Sequence, residues 1–203
     1  MNAYAAALGS IGTAVGLVRA VPQLVRLLRA REAYGVSLDT AATSSIVSFG
    51  WATYGILTHQ IFVILATGSS GLVFVFIACF AMRFGRSVKE LKVAPFWFVV
   101  LLVSGLWIGR TGLGMLLSIS VLAANLPQLW VAYKERDLSD LSLGTWSLSI
   151  TDGMVWGLYA VIWHDASIMV YGIFQLATSG PIVWLKLMHR ARHGKPRTGV
   201  SSQ

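Results

Sequence analysis

One cysteine, Cys79, is the whole thiol inventory of the 203-residue chain. A lone cysteine cannot build a disulfide framework or a cysteine metal site within one chain. Charge is scarce too: 12% of residues are charged, where a soluble domain carries about 25%. Acids are the rarer sign, eight Asp and Glu against sixteen Lys and Arg. His59, His164, His189 and His193 lack a metal-ligand spacing. No nucleophile, base or metal cluster of a membrane enzyme is visible, so neither catalysis nor a cofactor is expected. A retinal pigment would need a lysine in mid-helix, and the last apolar run has Lys186 only at its end. Met1-Asn2-Ala3-Tyr4 has no basic n-region and opens a run long enough to span, so no cleavable signal peptide is expected.

What the chain has instead is apolar length. Hydrophobic residues make up 56% of it and the mean hydropathy is +0.69. A spanning helix needs about 20 mostly apolar residues. Such runs are read at about 4–28, 38–58, 61–82, 94–109, 112–133, 142–163 and 166–188. The expected fold is an all-α integral membrane protein of seven transmembrane helices. An odd number of spans puts the termini on opposite sides. Fourteen of the sixteen Lys and Arg fall on one side, from Arg26 and Arg83 to Lys134, Arg136, Lys186, Lys195 and Arg197; Arg110 lies opposite and Arg19 inside a run. Basic residues favour the cytoplasmic side, which places the N-terminus outside and the C-terminus inside, in the plasma membrane. The net charge of +8 is thereby an orientation signal aided by anionic lipid heads, and nucleic acid is not an expected partner.

Ala20-Val21-Pro22-Gln23-Leu24 returns as Asn125-Leu126-Pro127-Gln128-Leu129, an offset of 105. The same offset pairs Arg31 with Arg136, Ser37 with Ser142, Leu38 with Leu143, Thr40 with Thr145, Trp51 with Trp156, Tyr54 with Tyr159 and His59 with His164. Identities at one fixed spacing mark a duplication. Runs one to three map onto five to seven, a 3+1+3 plan. The expected units are a first triple-helix bundle at 1–82, a basic loop and linker helix at 83–111, a second bundle at 112–188 and a disordered basic tail at 189–203. Each Pro-Gln lies inside an apolar run, where proline removes a donor and kinks a helix.

Asp152 is the one acid well inside a run. It lies ten residues past Ser142, about 15 Å into a core of about 30 Å. An acid at the midplane marks a functional site by default, here a proton or substrate-amine site. Bonding to Ser149 or a neighbouring helix for packing is the alternative. Arg19, one turn before Pro22, can pair with Asp152, bind an anionic substrate, or snorkel to the surface. Asn125 lines the path or joins helices. Gly12 and Gly16 have the spacing that lets helices approach closely. Trp107, Trp163, Trp130, Tyr133, Trp146 and Trp184 read as interfacial belts. Asp39 reads as an acid at the start of its own helix, and His59 and His164 as capping or surface residues.

Pro22-Gln23 with Ser37, Trp51 and Tyr54, and Pro127-Gln128 with Ser142, Trp156 and Tyr159, resemble the PQ-loop transporters and, among them, the SWEET sugar transporters, over about residues 4–188. The resemblance implies two triple-helix bundles repeated in parallel about the membrane normal, with a substrate pocket between them. It implies Pro22 and Pro127 as hinges beside Gln23 and Gln128, Trp51 and Trp156 as pocket walls, and Tyr54 and Tyr159 as outer-gate residues. Sugar carriers of this type place an asparagine on the third helix of each bundle. Here the corresponding positions are Thr67 and Gly172, with Gln175 about one turn away.

The expected function is transport of a small polar solute, a sugar first, by alternating access. The alternatives are a proton-coupled carrier of an amino acid or other metabolite using Asp152, and a non-transporting sorting receptor of the same helix plan. Expected partners are the solute and membrane lipids; protons and a second copy of the chain are open.

Overall fold

The structure, a computed structural model, describes residues 3–134 and 142–193. Arg136, Lys195, Arg197 and the tail from Gly194 lie outside the described residues. Among these residues the chain forms seven helices: α1 (Ala3–Ala30), α2 (Leu38–Leu57), α3 (Ile61–Arg83), α4 (Val93–Trp107), α5 (Gly109–Lys134), α6 (Leu143–Trp163) and α7 (Ala166–His193). A 3-10 turn, Val88–Glu90, precedes α4 and carries a capping box between Ser87 and Glu90. α7 continues past residue 189, to His193.

α1, α3, α5 and α7 are each long and apolar enough to cross a membrane. α2 and α6 have the length, 20 and 21 residues, but Ser, Thr and Asp are interleaved with their apolar residues. α4 has 15 residues, about 22 Å at 1.5 Å per residue. The chain is an all-α integral membrane protein with a 3+1+3 arrangement.

Connections between helices repeat almost bond for bond. Ser37 caps α2 by accepting from the Thr40 N–H at 3.2 Å, and Ser142 caps α6 by accepting from the Thr145 N–H at 3.3 Å. A side-chain oxygen at this position satisfies one of the orphan donors of the first turn. At the other ends of these helices His59 and His164 both adopt the left-handed region, φ 56° and 51°, which histidine tolerates better than most residues. Gln60 N–H then donates to Gly55 C=O at 2.8 Å, and Asp165 N–H to Ala160 C=O at 3.0 Å. These bonds satisfy the last carbonyls of each helix, and the paired histidines act through backbone geometry.

α3 lies between α1 and α2, and α7 between α5 and α6. The halves meet as α1 on α6 and α2 on α5, which is what a two-fold exchange of like units requires. α4 rests on α2 and α5. Asp39 fixes it there: its carboxylate accepts from the backbone N–H groups of Lys92, Val93 and Ala94 at 2.9–3.1 Å. The sequence reading placed Asp39 at the start of its own helix; the structure makes it the cap of the linker helix as well. Trp107, Trp130, Tyr133, Trp163 and Trp184 are exposed, as belt residues should be. Trp146 instead packs on Ala132 and Ile182.

Candidate functional site

At the end of the molecule opposite most of the basic residues, the two halves are tied together. Asp165, in the α6–α7 turn, accepts from the Tyr54 hydroxyl at 2.8 and 2.9 Å and from the Gln60 amide at 2.6 Å. It also caps α7 through the Ile168 N–H at 3.0 Å. Gln60 and Asp165 are mates under the 105 offset, so their contact lies on the axis relating the halves. Symmetry would add a second bond, from Tyr159 to Gln60. The Tyr159 hydroxyl and Gln60 Oε1 are the two atoms it would join, and both are buried without a partner. Gln60 directs its amide at Asp165 instead, so one of the two equivalent bonds is made.

Below this tie the tryptophans meet the core. Trp51 and Trp156 are each 7% exposed and belong to one apolar cluster with Tyr54, Tyr159, Leu113 and Leu117. Trp51 packs edge-on against Tyr54 and Tyr171, and Trp156 against Tyr159. A Cβ on Gly12 would fall 2.8 Å from the Trp156 ring, so glycine is what lets α1 reach α6. The tryptophans are therefore buried between the halves, and a concavity of about 490 Å3 lies elsewhere, against Pro22, Gln23, Arg26, Leu27, Glu32 and Val36.

The two levels are joined by one face of α1. Residues seven apart fall on nearly the same helix face. Along that face Ala5 and Gly12 are buried, whereas Arg19 and Arg26 are exposed. The corresponding face of α5 repeats the change: Leu117 is buried and Ala124 is exposed. Gln23 and Gln128 are exposed, as are Pro22 and Pro127, which continuous helices accommodate. The halves are sealed at the Asp165 end and uncovered toward the basic end.

Where burial gives way to exposure lies a polar cluster. Arg19 Nη1 donates to Asp152 Oδ2 at 3.3 Å, joining α1 to α6. The Tyr171 hydroxyl, from α7, donates to the same oxygen. The Asp152 side chain is 4% exposed and that of Arg19 35%. Asp152 thus takes partners from two other helices, beside the Trp156 indole of its own and not from Ser149, and Arg19 pairs across the halves.

The remaining expected residues are engaged elsewhere. Asn125 donates to Gln175 at 3.3 Å and to Thr178 at 2.8 Å, joining α5 to α7 within one bundle. Thr67 donates to its own helix at Val63 C=O, 2.6 Å. Gly172 is where α7 crosses α6: a Cβ there would lie 2.9 Å from Gly153 O and Gly157 Cα. Tyr171, Gln60 and Asp165 were not among the residues expected from sequence. The offset that paired His59 with His164 also pairs Gln60 with Asp165, one residue on; they differ in type, which hid the match. Tyr171 faces Ala66 in the repeat and gave no such signal.

No protein-family model matches the chain. It is 36% identical over 70 residues to the uncharacterized protein MJ0110 of Methanocaldococcus jannaschii; the match covers 34% of this chain and 74% of that one. The whole relative is therefore about as long as one repeat. Among solved structures, a eukaryotic SWEET transporter superposes with a TM-score of 0.76 at 15% identity, over 93% of this chain and 97% of that one. The chain has the fold of that SWEET transporter and belongs to the family of the M. jannaschii protein MJ0110.

Proposed function

We propose that the protein is a membrane carrier that moves a small polar solute by alternating access between its two triple-helix bundles. One observation carries the reading: the halves are tied across their axis at Gln60 and Asp165, while the same faces of α1 and α5 are uncovered toward the basic end. A carrier facing the cytoplasm has this form, given the orientation that the basic residues favour, N-terminus outside and C-terminus inside the plasma membrane. Tyr54, Tyr159, Gln60 and Asp165 form the outer gate. Trp51 and Trp156 floor it from within, and Pro22 and Pro127 weaken the helix ladders where α1 and α5 would bend. The likeness in fold to a SWEET transporter supports transport. Sugar is the class that the sequence resemblance suggests. A second reading, proton-coupled carriage of a charged metabolite, draws on the Arg19–Asp152–Tyr171 cluster, because an intramembrane acid with a named partner is a functional feature by default.

The test is to hold the gate shut. In a Cys79→Ser background, Gln60→Cys and Asp165→Cys are joined by a short thiol-reactive cross-linker in proteoliposomes. Uptake of labelled glucose, gluconate and glutamine is then followed. Whichever is carried by the unlinked protein should stop on cross-linking and resume when a cleavable linker is cut. Uptake that continues with the gate linked would rule out alternating access at this end.

A further inference from the structure

The neutral polar side chains that a sugar carrier of this plan would offer from α3, α5 and α7 are largely spent. Thr67 bonds its own helix. Asn125 and Gln175 bond each other, and their remaining bonds go to Thr178 and Ser179. Gly172 offers no side chain, and the α6 backbone at Gly153 and Gly157 leaves no room for one. The groups a neutral sugar would use at this depth are thus turned inward to the helices.

Arg19 is different. A guanidinium has five N–H donors in a planar fork. One meets Asp152 Oδ2, and the Tyr171 hydroxyl is also within hydrogen-bonding reach. The rest of the side chain stands 35% exposed on the uncovered face of α1, while its partner Asp152 is almost fully covered. The ion pair therefore leaves its positive end uncovered and its negative end enclosed. Planar carboxylates meet such a fork with two parallel bonds, which lysine cannot reproduce.

Resting on the carrier reading above, we infer that Arg19 is the recognition residue for substrate and that the substrate bears a carboxylate. The charge balance then has a consequence. Asp152 faces Arg19 from α1 and Tyr171 from α7. A second carboxylate beside this pair leaves one negative charge uncompensated in a space of low dielectric, which is costly. One proton taken from the same side as the anion and held on Asp152 restores neutrality, so anion and proton cross together with no net charge moved.

Gluconate and glucose are suitable probes, since both carry six carbons and a polyhydroxy chain and only one has a carboxylate. With the purified full-length protein, gluconate at saturation should raise Tm by several degrees and glucose should not, because a ligand that binds only the folded state stabilises it. Removing Arg19 alone leaves Asp152 buried without its cation, so folding is protected by comparing Asp152→Asn with Arg19→Gln/Asp152→Asn. The single variant should show a gluconate shift that no longer depends on pH, and it is the reference for the double variant. The double variant should lose at least tenfold in gluconate affinity. A glucose shift equal to that of gluconate, no shift with gluconate, lactate or glucuronate, or a double variant that binds like the single one would each overturn the inference. Glucose uptake that the Gln60–Asp165 cross-link stops would overturn it too, while leaving the carrier reading intact.

Discussion

At the residue scale, contact distances decide what composition leaves open. Gly172 stands where a sugar-type asparagine would be, and the α6 backbone lies 2.9 Å from any Cβ placed there. Gly172→Asn should therefore cost about 1–3 kcal/mol through overpacking, and a thermal melt in detergent should fall accordingly; an unchanged melt would mean that α6 and α7 separate freely. Tyr171→Phe keeps the ring against Trp51 and removes the hydroxyl that donates to Asp152. A bond to a charged group contributes about 1.5–3 kcal/mol, so the variant should melt lower while retaining its helical content by circular dichroism. Full retention of stability would place the Tyr171 hydroxyl outside the network.

At the element scale, the helix ends explain much of the repeat. Ser37 and Thr40, and Ser142 and Thr145, are identical pairs because each forms an N-cap. The turns after α2 and α6 share left-handed histidines because the chain must reverse within three residues there. Asp39 has no counterpart in this pattern, since its work is on α4, a helix the duplication does not contain. Asp39→Ala frees three N–H groups at the start of α4 and should cost about 1 kcal/mol, the usual scale for a lost cap. Because α4 rests on both α2 and α5, amide hydrogen exchange should accelerate through its first turn; unchanged exchange at Val93 and Ala94 would show that the cap contributes nothing.

At the scale of the whole molecule, one carboxylate on the pseudo-two-fold axis joins the halves. Asp165→Asn keeps the shape and removes the charge on which Tyr54 and Gln60 converge. Charge-assisted hydrogen bonds are about twice as strong as neutral ones, so the sealed state should lose about 1–2 kcal/mol, a factor of about 5–30 in population. A cysteine at Ile168, buried just inside the seal, should then react faster with an impermeant maleimide from that side in a Cys79→Ser background. An unaltered rate would mean that Asp165 caps α7 and holds nothing closed.

The sequence by itself determined the number of helices, their limits to within a few residues and the duplication. Apolar run length, proline and capping serines are local properties, and an offset of 105 needs no coordinates. It also put Asp152 in the middle of its helix, because position along a helix is a count of residues. Only the tertiary structure decided which side chains meet. Arg19 could pair, bind or snorkel until α1 was placed against α6. Asn125 and Gln175 became a joint within one bundle, and Gln60 met Asp165 on the axis, because contacts between distant helices depend on rotation and crossing, which no single helix encodes.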